Sequence, residues 1–188
     1  PPSATLFPYT TLFRSSYMTI DKIELPKELT LEDKWILSSL NKVIKEVTYN
    51  LEHFEMGVAA QKVYDFIWNS FCDWYIELAK NRFNGEDAQA KKNVENVLAY
   101  VLTDILKMLH PFMPFITEEI YQALPHEEGY LMMQSWPEYK AELDFPADEA
   151  RMEKIMEAVR AVRECRSGHN VPNSRKIARL EERRVGKE

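Results

Sequence analysis

Residues 57 to 83 read GVAAQKVYDFIWNSFCDWYIELAKNRF. Ala60, Val63, Ile67, Phe71, Trp74 and Leu78 recur every three or four positions and form one apolar face, with Tyr64, Trp68, Cys72 and Tyr75 on its flank. Only Lys62, Asp65, Asn69, Asp73 and Glu77 leave a polar stripe. A helix apolar around most of its girth is buried between neighbours. The stretch therefore predicts a central helix over about 57–80, and the rest of the chain must supply the elements that cover it.

The flanking sequence supplies helices. Thr30-Leu31-Glu32-Asp33 has a capping hydroxyl followed three positions later by an acid, and Ile36, Leu40, Val43, Val47, Leu51 and Phe54 follow at helical spacing, which predicts a helix over about 31–53. Beyond the central helix, Asn84-Gly85-Glu86-Asp87 is a turn ending in a capping acid. Val94, Val97, Leu98, Val101, Leu102, Ile105, Met108 and Leu109 then carry a third helix to His110-Pro111. Pro114 in a first turn, with Ile116, Ile120, Ala123 and Leu124, predicts a short fourth helix. Residues 126 to 147 read as an irregular connection packed by Trp136, and Met152, Ile155, Val159 and Val162 predict a fifth helix from Asp148 to about Ser167. Five helices with short links and almost no period-two alternation predict an all-α antiparallel bundle.

Composition agrees. The 188 residues are 45% hydrophobic and 29% charged, with 5 glycines against 10 prolines, a balance that excludes a disordered chain and disfavours Gly-rich phosphate loops and turn-rich β folds. The two cysteines, Cys72 and Cys165, fall in no CxxC or Cys/His ligand spacing, so no metal is expected, and a reducing, cytoplasmic setting suits them. No apolar run is long enough to span a membrane, so no membrane partner is expected.

The two ends read differently. Residues 5 to 15 are TLFPYTTLFRS, and one codon choice for them, read on the opposite strand, encodes RSEERRVGKE, whereas the chain ends RLEERRVGKE at 179 to 188. Two protein termini have no reason to be reverse complements, and the string resembles a sequencing adapter translated in both orientations. Residues 1–15 and 179–188 are accordingly expected to be artefact, and 16–178 the natural helical domain. Setting those ends aside removes five of the 24 basic and three of the 30 acidic residues and leaves a net charge of −8. That balance disfavours non-specific coating of nucleic acid through a broad basic face, so any phosphate contact must be local.

No GxxxxGK[ST], GxGxxG, HExxH or GxSxG occurs, and the adjacent acids Glu118-Glu119 and Glu127-Glu128 diverge on a helix, so catalysis within the chain is not expected. The aromatic row Phe66 to Tyr75 reads as core packing. At its exit, Lys80, Arg82 and Phe83 admit two readings: two cations and an aromatic that hold a phosphate and an unstacked base, or cations that answer the helix dipole. Arg160, Arg163, Arg166, Arg175 and Lys176 form a second basic cluster, either a binding surface or a solvated face.

Three runs carry a resemblance: DKWILSSLN at 33–41, FCDWYIELAKNRF at 71–83 and LHPFMPFITEEIYQALP at 109–125, joined by WPEY at 136–139 and RECRSGHNVPNSRKI at 163–177. They resemble the helical anticodon-binding domain of class I aminoacyl-tRNA synthetases, and within them the valine–tRNA ligases. The Phe-Cys-Asp-Trp-Tyr and His-Pro-Phe-Met-Pro-Phe runs separate that group from the isoleucine and leucine enzymes. The resemblance implies part of an enzyme that attaches valine to its tRNA with ATP, whose catalytic and editing domains, the other expected partners besides valine tRNA, are not in this sequence. Its ATP signatures HIGH and KMSKS are absent, so no catalytic residue is carried over. The implied tRNA-facing surface is the start of the first helix with Lys34, and the exit of the second with Lys80, Arg82 and Phe83. A helical protein–protein interaction module, or the same domain of an isoleucine or leucine enzyme, stands as the alternative, and salt dependence separates RNA binding from an apolar interface.

Overall fold

The structure, a computed structural model, describes residues 20–126, 129–172 and 175. The ends expected to be artefact, 1–15 and 179–188, lie outside these. The chain divides into two compact units, with the boundary after Ala150. Among the described residues every regular element is helical: α1 (Leu31–Glu52), α2 (Met56–Phe66), a π-helical segment (Ile67–Ile76), α3 (Glu77–Phe83), α4 (Ala88–Leu109), α5 (Pro114–Gln122) and α6 (Pro146–Gly168), with short 3₁₀ turns at Leu131–Met133 and Ala141–Leu143. None of these helices is long and apolar enough to cross a membrane.

The helix starts follow their caps. Asp33 reaches back to the Thr30 N–H (3.2 Å) and accepts the Thr30 hydroxyl (2.9 Å), while Asp87 accepts the N–H groups of Gln89 (2.9 Å) and Ala90 (3.2 Å) at the start of α4. Ile36, Leu37, Leu40, Ile44 and Val47 of α1 are buried, as are Val94, Val97, Val101, Ile105 and Met108 of α4. The α1 stripe ends before Phe54. That residue sits past the helix end at φ 60°, in the left-handed region, and is 86% exposed rather than packed.

The central helix is one rod of α2, π and α3, and its register differs from a 3.6-residue reading. Ala59, Val63, Phe66, Ile67, Phe71, Cys72, Tyr75, Ile76 and Ala79 are buried, whereas Trp74 and Leu78 are only half-buried. The physical reason is the backbone between Ile67 and Ile76. A π-helix closes i→i+5 hydrogen bonds, so each turn takes up more residues, and Tyr75 arrives where α geometry would put Trp74. A smaller shift occurs in α5, where Ile116 is exposed and Thr117 is buried, and Tyr121 and the following Leu124 pack with Leu106 and Leu131. Thr117 is tolerated there because its hydroxyl lies 2.8 Å from both the Met113 carbonyl oxygen and His110 Nδ1.

The connection before α6 is held to α1 by polar groups. Asn41 mimics a backbone unit, accepting the Lys140 N–H (2.8 Å) and donating to the Lys140 carbonyl (2.7 Å), and Ser38 Oγ accepts the Phe145 N–H (2.9 Å). Trp136 donates its indole N–H to Thr48 Oγ1 (2.8 Å). In the second unit, Ile155 and Val162 of α6 are exposed, not members of a packed stripe as their spacing suggests.

Candidate nucleic-acid interface

Asp33 is the hub of this region. It is fully buried, and its two oxygens receive five donors: besides the two from Thr30, the Tyr75 hydroxyl (2.7 Å) and both terminal nitrogens of Arg82 (2.8 and 2.7 Å). The two-pronged guanidinium–carboxylate pair joins the first turn of α1 to the last turn of α3, 49 residues apart, and Arg82 Nε also lies 3.3 Å from Glu32. The π segment makes this possible, because it turns Tyr75 rather than Trp74 toward α1.

The electrostatics follow from the contacts. Burial alone would push the Asp33 carboxyl up, but the hydrogen bonds from Arg82 and Tyr75 and the guanidinium charge outweigh it and hold the group below its ordinary value. Burial, reinforced by the Asp33 carboxylate, pushes the Tyr75 phenol well above its ordinary value, so it remains a neutral donor. For Arg82, burial disfavours the charge, yet Asp33 outweighs that and strengthens proton binding.

The residues singled out from the sequence fall around this hub. Lys34 leaves α1 beside it, with Nζ 3.6 Å from Asp148 and 5.8 Å from the centre of the Phe145 ring. Lys80 pairs with Glu77 on the same helix. Both amines remain reachable, their side chains 36% and 38% exposed. Arg82 is different: its side chain is 19% exposed, and its guanidinium is spent on Asp33 and Glu32. Phe83 is half-buried and carries the Lys91 amine 5.1 Å from its ring centre. Asp33, Tyr75 and Lys91 are the members that sequence reasoning did not place here. The capping role of Asp33 was visible, but its long-range partner was not, and the α-helical register put Tyr75 on a flank. The set holds no nucleophile beside a base, and what it can offer a ligand is positive charge on the rim and an aromatic ring.

A groove of about 940 Å³ opens at the other end of α1, lined by Lys42, Lys45, Lys62, Tyr49, Trp136 and Tyr139 among others. Its three lysines are matched by three glutamates, Glu46, Glu52 and Glu138, with Lys62 2.7 Å from Glu46. It offers no net charge to an anion.

Residues 33–182 match the family described as the anticodon-binding domain of tRNA ligase. The valine–tRNA ligase of Clostridium tetani is 52% identical over 157 residues, 84% of this chain. That of Oceanobacillus iheyensis is 46% identical over 162 residues, 86% of this chain, and that of Lactiplantibacillus plantarum 48% identical over 158 residues, 83% of this chain. The chain spans about 18% of the length of each of these relatives. The matched stretch runs from the Asp33 hub through the start of α6 and beyond, and on that match the chain belongs to the family of anticodon-binding domains of tRNA ligases.

Proposed function

We propose that the chain is the anticodon-binding part of a valine–tRNA ligase, an enzyme of the cytosol that attaches valine to its tRNA with ATP. The natural segment is 16–178. ATP and valine are handled by the catalytic and editing domains of the parent chain, and this segment holds the tRNA. Its surface is the rim of the Asp33 hub: Lys34 and Lys80 meet backbone phosphates, Phe83 stacks an unpaired loop base, and Arg82 fixes the two helix ends relative to each other. The observation that carries the reading is the Arg82–Asp33 pair, which brings the two separately predicted stretches, around Lys34 and around Lys80 to Phe83, into one region.

The work of such a segment is positioning. A loop base held on Phe83 orients the distant acceptor end, so binding energy realised here lowers the barrier at a reaction carried out elsewhere. A Lys34→Gln/Lys80→Gln double variant of the full-length protein tests it. The reading expects weaker valine tRNA binding, a salt slope flatter by slightly under one unit per lost phosphate contact, and a fall in kcat/KM for aminoacylation, with ATP–pyrophosphate exchange unchanged. Unchanged kcat/KM in the double variant and in Phe83→Ala removes these residues from the site.

A further inference from the structure

Each of the three cations placed on the rim of the Asp33 hub already holds a carboxylate of this chain. Arg82 grips Asp33 through both terminal nitrogens, Lys80 pairs with Glu77, and Lys34 lies 3.6 Å from Asp148. The three pairs differ in how firmly they resist an incoming anion. The Arg82–Asp33 pair is two-pronged and its carboxylate is buried, so it does not exchange. The Lys80–Glu77 pair lies in water, its side chains 38% and 47% exposed, and breaking it costs little. Lys34–Asp148 stands between these limits. Asp148 is only 19% exposed, so its charge is less screened than that of a surface acid, yet at 3.6 Å the lysine amine is beyond hydrogen-bond reach and can leave it. Asp148 itself is anchored. It sits in the first turn of α6, where the helix dipole favours an acid, and its neighbours on both sides are tied to α1: Glu149 is buried and pairs with Lys42, and the Phe145 N–H is held by Ser38. The carboxylate therefore does not follow the lysine toward a ligand.

We infer that Asp148 is an autoinhibitory group of this surface: it occupies Lys34 in place of an RNA phosphate, and a tRNA binds there by displacing it. The inference rests on the tRNA-binding reading above and adds a regulation of that same site. Its consequence is selectivity. A phosphate has to outcompete a carboxylate already in place, which an RNA held at its other contacts does through a high effective concentration and a free phosphate ion does not.

The test is a double-mutant cycle in the full-length protein: wild type, Asp148→Asn, Lys34→Gln and the double variant, each titrated with a valine tRNA transcript at about 100 mM KCl, where the Debye length is about 10 Å and distant charges are screened. The expected result is that Asp148→Asn binds about fivefold more tightly than wild type, that Lys34→Gln binds more weakly, and that the double variant binds like Lys34→Gln alone, because only the lysine feels the missing competitor. Equal or weaker binding by a stably folded Asp148→Asn protein overturns the inference. So does a gain of the same size in the Lys34→Gln background, which marks a general charge effect. In both cases weaker binding by Lys34→Gln leaves the rim reading standing. A Lys34→Gln protein that binds as wild type does removes Lys34 from the rim reading, and the inference falls with it. Thermal melting is recorded for every variant; should Asp148→Asn melt early, Asp148→Ser, which keeps a side-chain oxygen in the first turn of α6, carries the same expectations.

Discussion

Arg82→Ala is the substitution whose cost the structure fixes best. It removes the cation from a fully buried carboxylate, leaving Asp33 with donors from Thr30 and Tyr75 alone, and cuts the cross-link between α1 and α3. Breaking a buried pair by removing one partner costs about 3–5 kcal/mol, and the lower end applies because Arg82 keeps 19% of its side chain in water. About 3 kcal/mol is a large part of the 5–15 kcal/mol typical of a domain, and for a chain of this size it lowers the melting temperature by roughly 6–12 °C. The pH dependence has a definite sign. The folded carboxyl lies below its ordinary value, so the unfolded chain binds that proton more readily, and the stabilisation is complete above about pH 4 and lost as pH falls through the folded value. The assay is thermal and denaturant unfolding followed by tryptophan fluorescence and circular dichroism at pH 7 and at pH 3, with Lys80→Ala as a control that costs under about 1 kcal/mol because its pair is exposed. An Arg82→Ala protein melting within 2 °C of wild type at pH 7, or a gap between the two that widens in acid, contradicts a stabilising Arg82–Asp33 pair.

Other outcomes follow from the same contacts. Tyr75→Phe, which removes only the hydroxyl given to Asp33, costs about 1–3 kcal/mol, and Tyr75→Ala destabilises more than Trp74→Ala; the opposite order in denaturant titrations contradicts the π-helical register. Burial pushes the Cys72 thiol up to about 11, so at pH 8 the native chain gives one fast-reacting thiol, Cys165, and a second only on unfolding; two fast thiols contradict the packing around Cys72. Removal of residues 1–15 and 179–188 leaves the melting temperature of the chain unchanged within 2 °C, and a larger fall shows that those ends pack.

Much of this architecture was legible because helix starts and apolar periods are local signals. Thr30 with Asp33, Asp87, and Pro114 each mark a start within a few residues, and the stripes of α1 and α4 repeat for about four turns. The π segment was not legible: its hydrogen-bond pattern is a choice of the folded backbone that leaves no mark on a 3.6-residue period, so the core face drifted from Tyr75 to Trp74. The candidate site was half-legible for a related reason. Lys34, Lys80 and Phe83 could be singled out as cations and an aromatic near helix ends, but the partner that occupies Arg82 lies 49 residues away, and no local rule pairs them. The Asn41 and Ser38 bridges to the connection before α6 are equally long-range, spanning 99 and 107 residues.

Whether the rim of the Asp33 hub meets the anticodon loop of a tRNA is read out by a photo-cross-link. A benzophenone amino acid replacing Phe83 in the full-length protein, irradiated with valine tRNA, should cross-link to anticodon-loop nucleotides, with the yield falling as salt is raised. Cross-links confined to the acceptor stem, or none while the enzyme still charges its tRNA, would contradict that contact.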